Sequence, residues 1–197
     1  IQFDKKGLPY IMGTSTGAFP VINAAYSNAG GKQFIAKLQP NLSAFIYSTV
    51  FGSGGAEPNI SPVAFLVDRC ENVYVSGWGG VVNQAYRSRT NPVVSTRGLP
   101  TKNVPTNSLL REDTDGSDLY FFVLKRDAVD ILHGSFLGQI GGAAEHVDGG
   151  TSRFDKEGVI YQAVCAACRG TTFPTTPGAW SPNNGSRNCN LAAVKIN

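Results

Sequence analysis

Asp68-Arg69-Cys70-Glu71-Asn72-Val73-Tyr74-Val75-Ser76-Gly77 decides the fold class, because it occurs in related form three times. The other copies are Asp4-Lys5-Lys6-Gly7-Leu8-Pro9-Tyr10-Ile11-Met12-Gly13 and Asp155-Lys156-Glu157-Gly158-Val159-Ile160-Tyr161. In each, a turn-forming Asp precedes an apolar, aromatic run of strand length, which reads as a tight turn feeding a β-strand. A hydrophobe-Pro pair follows: Phe19-Pro20, Val104-Pro105 and Phe173-Pro174. Next comes an apolar strand with one basic residue, taken as Lys37, Lys125 and Lys195, and in two copies a closing stretch, 45–52 and 131–138. From strand Lys to the next turn Asp is 31 residues in the first unit and 30 in the second. The period is close to 64 residues once an insertion of about 20 in the second unit, between Gly79 and Asn103, is removed. No helical periodicity persists in any copy, so the units are expected to be all-β.

Working outward, the 197 residues include 23 Gly and 11 Pro with only 16% charged, which excludes a disordered acidic tail and a coiled coil. No run of 18 apolar residues is present, so no helical membrane segment is expected. The 17 basic and 14 acidic residues are scattered, giving a net charge of +3 and no nucleic-acid footprint. The start at Ile1 leads us to expect a piece of a longer protein, with any export signal outside it. Four cysteines, Cys70, Cys165, Cys168 and Cys189, are read as two disulfides in an oxidising compartment, the same count being given by four thiols in a reducing one.

About four short strands per unit match one blade of a β-propeller or a segment of a sandwich array. Pro62–Val67 and Val73–Ser76 should form a hairpin around the Asp68 turn, with the Lys37 and Tyr47 segments as the other two strands. The near-continuous apolar run Val63–Val67 predicts burial on both faces, favouring blades packed against one another. The repeat divides the chain into 1–67, 68–154 with its insertion at 79–103, and an incomplete 155–197.

As a set, Tyr10-Ile11-Met12-Gly13-Thr14-Ser15, Phe19-Pro20, Ala25-Tyr26, Phe34–Leu38, Tyr47-Ser48-Thr49, Gly52 and Val67-Asp68 through Gly77 resemble the bacterial SBBP-type β-propeller repeat. The third unit keeps Phe173 to Trp180 of this pattern, and the second departs from it at Val104-Pro105. The cysteines and Ser76-Gly77-Trp78-Gly79-Gly80 resemble the subset found in large surface proteins of gliding Bacteroidetes that use type IX secretion. The resemblance implies four-stranded antiparallel blades, a ring completed by sequence outside this chain, and an exported, non-catalytic scaffold. Its partners would be other blades or domains of the same chain, surface polysaccharide, or secretion and motility proteins.

Cys165-Ala166-Ala167-Cys168 has CxxC spacing, readable as a redox pair, half a zinc site or structural disulfides. The disulfide reading pairs two cysteines within the third unit and joins the remaining one to Cys70. Asp113, Asp115 and Asp118 surround a Gly at a spacing that can wrap oxygen ligands around Ca²⁺, against the plainer reading of a solvated acidic turn. No other cofactor is expected. His133 and His146 read as structural, and no nucleophile elbow, phosphate loop or HExxH motif is present. Trp78 and the insertion residues Tyr86, Arg87, Arg89 and Arg97 are the candidate binding surface, while Trp180 reads as packing between blades. The expected function is therefore a structural or adhesive module binding through loops on one face. The alternatives are a propeller with polysaccharide-active chemistry, recognisable by paired carboxylates, or a component of a secretion or gliding complex.

Overall fold

The computed structural model describes residues 1–80, 95–141, 145–147, 152–155, 157–168, 172–183, 185–186 and 188–197. They form three antiparallel sheets in chain order. The first holds β1 (Gln2–Phe3), β2 (Pro9–Thr14), β3 (Gln33–Leu38) and β4 (Phe45–Phe51). The second holds β5 (Ser61–Val67), β6 (Val73–Trp78), β7 (Leu119–Leu124) and β8 (Ile131–Leu137). β9 (Ser152–Phe154), β10 (Ile160–Ala166) and β11 (Asn190–Ile196) make the third. The β5–β6 hairpin forms as expected, with Val67 opposite Val73. Its remaining partners are β7 and β8; the Lys37 and Tyr47 strands belong to the preceding sheet.

The three Asp turns are one structure repeated. Asp4, Asp68 and Asp155 each accept, through Oδ1, the backbone N–H groups two and four residues on. Each turn is closed by the same pair of backbone hydrogen bonds, for example Asp68 N–H to Asn72 O and Glu71 N–H to Asp68 O. The fourth turn position has φ of +77° at Gly7, +65° at Glu71 and +88° at Gly158. This left-handed conformation suits glycine and costs a glutamate about 1 kcal/mol.

The second sheet is the middle layer. β7 is buried at every position, with Tyr120, Phe122 and Leu124 packing toward the first sheet and Leu119 and Phe121 toward the third. Successive side chains of a strand point to opposite faces, so a strand covered on both sides reads as an unbroken apolar run. Phe51 of β4 stacks on Phe122 at 4.3 Å, joining sheets one and two. The double burial expected of Val63–Val67 is found in β7 instead, since β5 is half-buried along most of its length. β5 is the first strand of its sheet and touches β1 and β9, the first strands of its neighbours.

Strand register also revises the repeat. Tyr10 lies opposite Lys37, Tyr74 opposite Val123 and Tyr161 opposite Lys195, so Val123 holds the Lys37 position and Lys125 lies exposed beyond β7. Ile22 bridges Ser48 at the edge of β4 while Lys102 bridges the matching Gly134 of β8. The counterpart of Phe19-Pro20 is thus Leu99-Pro100, two residues before the bridge in each case, rather than Val104-Pro105.

Candidate functional site

Every tight turn of the Asp type lies at one end of the sheets, and the long connections (15–32, 52–60, 79–118, 138–151 and 167–189) leave from the other. Long loops on a rigid sheet are where recognition is commonly built, so the second end is the candidate binding face. Tyr86, Arg87 and Arg89 lie outside the described residues. Arg97 is exposed there, its guanidinium donating to the Asp115 carbonyl at 2.5 Å. With Ser53, Glu57, Asn59 and Ser95 it lines a shallow depression of about 170 Å³. That is below the roughly 300 Å³ at which small-molecule pockets begin, so it fits a contact patch of a larger partner better than a ligand cavity. Asn59 is its rigid floor: its side-chain N–H donates to the Ser95 carbonyl at 2.7 Å, and its backbone N–H donates to Gln33 Oε1 at 2.6 Å.

Trp78 does not belong to this surface. It is 6% exposed, buried in the core between sheets two and three with its ring 5.8 Å from that of His146. Trp180, expected to pack between blades, is 99% exposed. The two tryptophans exchange the roles read from sequence because burial is set by which sheet lies opposite, and Trp78 ends a strand of the middle layer.

Asp113, Asp115 and Asp118 do not converge as a ligand set. Asp113 is exposed, and Asp115 accepts the Ser117 N–H at 2.9 Å and the Gly141 N–H at 3.1 Å. Asp118 is fully buried, paired with Arg111 Nη2 at 2.8 Å and accepting from the Thr114 hydroxyl. Arg111 reaches it because its backbone bridges Phe136 on the β8 edge. A second buried carboxyl joins this group. Glu145, held by its N–H on the Ser117 carbonyl, accepts the Gln139 N–H at 3.3 Å through Oε1. Its Oε2 is buried without a hydrogen-bond partner, beside Gly138, where a side chain would overlap both Glu145 Oε2 and Asp118 Oδ1.

Burial pushes Glu145 up to about 8, against the lowering by the Gln139 N–H and with added repulsion from Asp118. Burial likewise pushes Asp118 up to about 6, although Thr114 and Arg111 favour its charged form. Both carboxyls are therefore pushed toward the neutral form, Glu145 the more strongly. Two carboxyls with separated pKa values resemble an acid/base pair, and both are 0% exposed. Asp118 ties down Arg111 and Thr114, Glu145 ties down Gln139, and the backbone bond from Glu145 N–H to the Ser117 carbonyl joins the two groups. Sequence spacing singled out Asp118 but missed Arg111, which reaches it through the β8 edge, and Glu145, which is held on the Ser117 carbonyl.

A different carboxylate group locks the turn end. Lys37 Nζ lies 3.0 Å from Asp4 and 2.6 Å from Glu71, and 5.0 Å from the centre of the Tyr10 ring. Burial works against the charge of Asp4, but the Leu8 and Lys6 N–H groups and Lys37 together hold its carboxyl below the usual range. Glu71 thus carries its left-handed backbone in exchange for a cross-sheet ion pair.

Among the described residues the one disulfide is Cys168–Cys189, within the third unit. The expected second bond to Cys70 does not form: Cys70 is an exposed thiol and Cys165 a half-buried one. The physical reason is direction. Ser76 hydrogen-bonds Gln162 at 3.0 Å, and from that level Cys70 lies back toward the Asp turns while Cys165 lies forward toward the loops. At about 3.3 Å per strand residue the two are about 20 Å apart, far beyond the roughly 7 Å a disulfide spans. His146 adds to the bonded pair: its backbone bridges Cys165 and its Nδ1 lies 3.9 Å from Cys168 Sγ. His146, Cys168 and Cys189 are the group among the described residues that gathers three metal-ligating atoms.

Comparison with protein-family models, curated proteins and solved structures finds no match. No described helix is long and apolar enough to cross a membrane.

Proposed function

We propose that this chain is a run of three consecutive β-propeller blades, serving as a non-catalytic structural and adhesive module of an exported bacterial surface protein. The observation that carries the reading is the equivalence of two successive sheet junctions. Tyr10 of β2 meets Glu71, the left-handed residue of the next Asp turn, and Tyr74 of β6 packs on Gly158, the same position one turn later. Tyr161, the third member of this series, is 43% exposed beside Lys195, and Leu191 of β11 is 76% exposed. A further sheet entering by the same turn would cover them as the second covers the first. Contacts among the first strands β1, β5 and β9 agree with blades arranged around an axis. The Cys168–Cys189 bond is compatible with export.

Adhesion is then assigned to the long-connection end. The test is retention of the immobilised chain on surface polysaccharide from a gliding bacterium. Arg97→Glu with Glu57→Lys, at the loop end, should abolish retention, whereas Lys5→Glu with Lys6→Glu, at the turn end, should leave it unchanged. Equal loss in both variants, or no retention of the unaltered chain, would overturn the adhesive reading.

A further inference from the structure

We propose that Cys168, Cys189 and His146 form a redox-gated site for one zinc ion, closed when the two sulfurs are bonded and open when they are reduced. The three ligating atoms lie within 4.8 Å of one another, and the Cys168 Sγ to His146 Nδ1 distance is 3.9 Å. Around tetrahedral zinc, with Zn–S near 2.3 Å and Zn–N near 2.05 Å, sulfur and nitrogen stand about 3.6 Å apart and two sulfurs about 3.8 Å apart. The histidine is therefore almost at coordinating distance already, and opening the site requires only that the two cysteine side chains turn apart. Two thiolates and an imidazole suit a borderline-soft divalent cation and disfavour calcium or magnesium.

The surroundings hold these ligands in place. His146 is fixed by paired backbone hydrogen bonds with Cys165, donating at 3.2 Å and accepting at 2.9 Å, and its ring lies against Trp78. Cys168 and His146 are buried, whereas Cys189 is half-buried and gives the ion a way in. Cys165, at CxxC spacing from Cys168, falls outside the group gathered among the described residues, so three ligands carry the proposal. The chemistry balances with a phosphine or dithiol as reductant: two electrons and two protons convert the disulfide to two thiols, and zinc then displaces up to two protons as it binds the thiolates.

The test uses the full chain carrying Cys70→Ser and Cys165→Ser, so that the remaining thiols are the proposed ligands. After anaerobic reduction with a water-soluble phosphine, titration with Co²⁺ should give sulfur-to-cobalt charge-transfer absorption saturating at one ion per chain and displaced by one equivalent of Zn²⁺. The oxidised protein should show none. His146→Ala, and separately His146→Gln, should weaken reduced-state binding at least tenfold, since loss of an outer-shell partner alone costs about 10- to 100-fold. Should reduction unfold the chain, one equivalent of Zn²⁺ should restore the β-sheet circular dichroism. The proposal is overturned by absence of the charge-transfer band, by failure of zinc to restore folding in that case, by equal binding to the oxidised protein, or by indifference to both His146 substitutions.

Discussion

Replacing Glu145 by Gln should remove a pH dependence of stability that the buried carboxyl imposes. In the folded protein burial raises Glu145 to about 8 from the ordinary 4.5, so the folded state holds a proton that the unfolded state has released. Stability from this group is therefore greatest below about pH 4.5 and falls as the pH rises toward 8, by about 1.4 kcal/mol per unit. Across the whole window the loss is on the order of 5 kcal/mol. Asp118, raised to about 6, acts in the same direction at lower pH, so the informative interval is pH 6.5 to 8, where Glu145 alone should cost about 2 kcal/mol. The amide introduced by Glu145→Gln does not ionise; it keeps an oxygen for the Gln139 N–H and contributes no slope. Urea unfolding at pH 6.5, 7.25 and 8 should show the wild-type midpoint falling by about 1 M while that of the variant holds steady, taking a slope near 2 kcal/mol per molar. Parallel midpoints over that interval would refute the assignment of the proton to Glu145.

Further outcomes follow from the packing. Lys37→Met should cost about 3 kcal/mol or more in chemical denaturation, because it leaves the buried Asp4 carboxylate uncompensated, and adding Asp4→Asn and Glu71→Gln should recover most of the loss. In the wild type, Asp4's depressed pKa means its contribution is present above the ordinary 3.8 and disappears as the pH falls through the lower folded value, which acid titration of the two proteins should separate. Gly138→Ala should lower stability by roughly 1 to 3 kcal/mol, since the added methyl overlaps Asp118 and Glu145; a neutral thermal shift would show that those carboxyls lie elsewhere. With an aromatic disulfide reagent, native protein should show Cys70 reacting first and Cys165 more slowly, and reduction of Cys168–Cys189 should cost about 3 kcal/mol for a loop of this size.

Much of the fold was legible because its signal is local. Asp4, Asp68 and Asp155 close their turns on their own next four residues, and the strands that follow begin where the backbone leaves those turns. The repeat went out of step where one strand slides against another. Lys125 stood in for Val123, and Val104-Pro105 for Leu99-Pro100, because either offset gives an apolar strand and only the ladder with Tyr74 and Gly134 distinguishes them. The candidate site was legible only in part. Spacing marked Asp118 and the CxxC pair, yet Glu145 and His146, each decisive for one of them, lie 27 residues after Asp118 and 22 before Cys168.

The sequence by itself determined the all-β class, the three turns and the hairpin at Asp68, since hydrogen bonds within five residues and alternation along a strand need no distant partner. Tertiary structure decided which faces are covered. It buried Trp78 and β7 in the middle layer and left Trp180 in solvent. It also committed Asp115 and Asp118 to protein donors, and bonded Cys168 to Cys189 while Cys70 stayed a thiol at the far end of the sheets. Burial and pairing depend on what lies across a sheet-to-sheet contact, and that neighbour is fixed by packing between residues tens of positions apart.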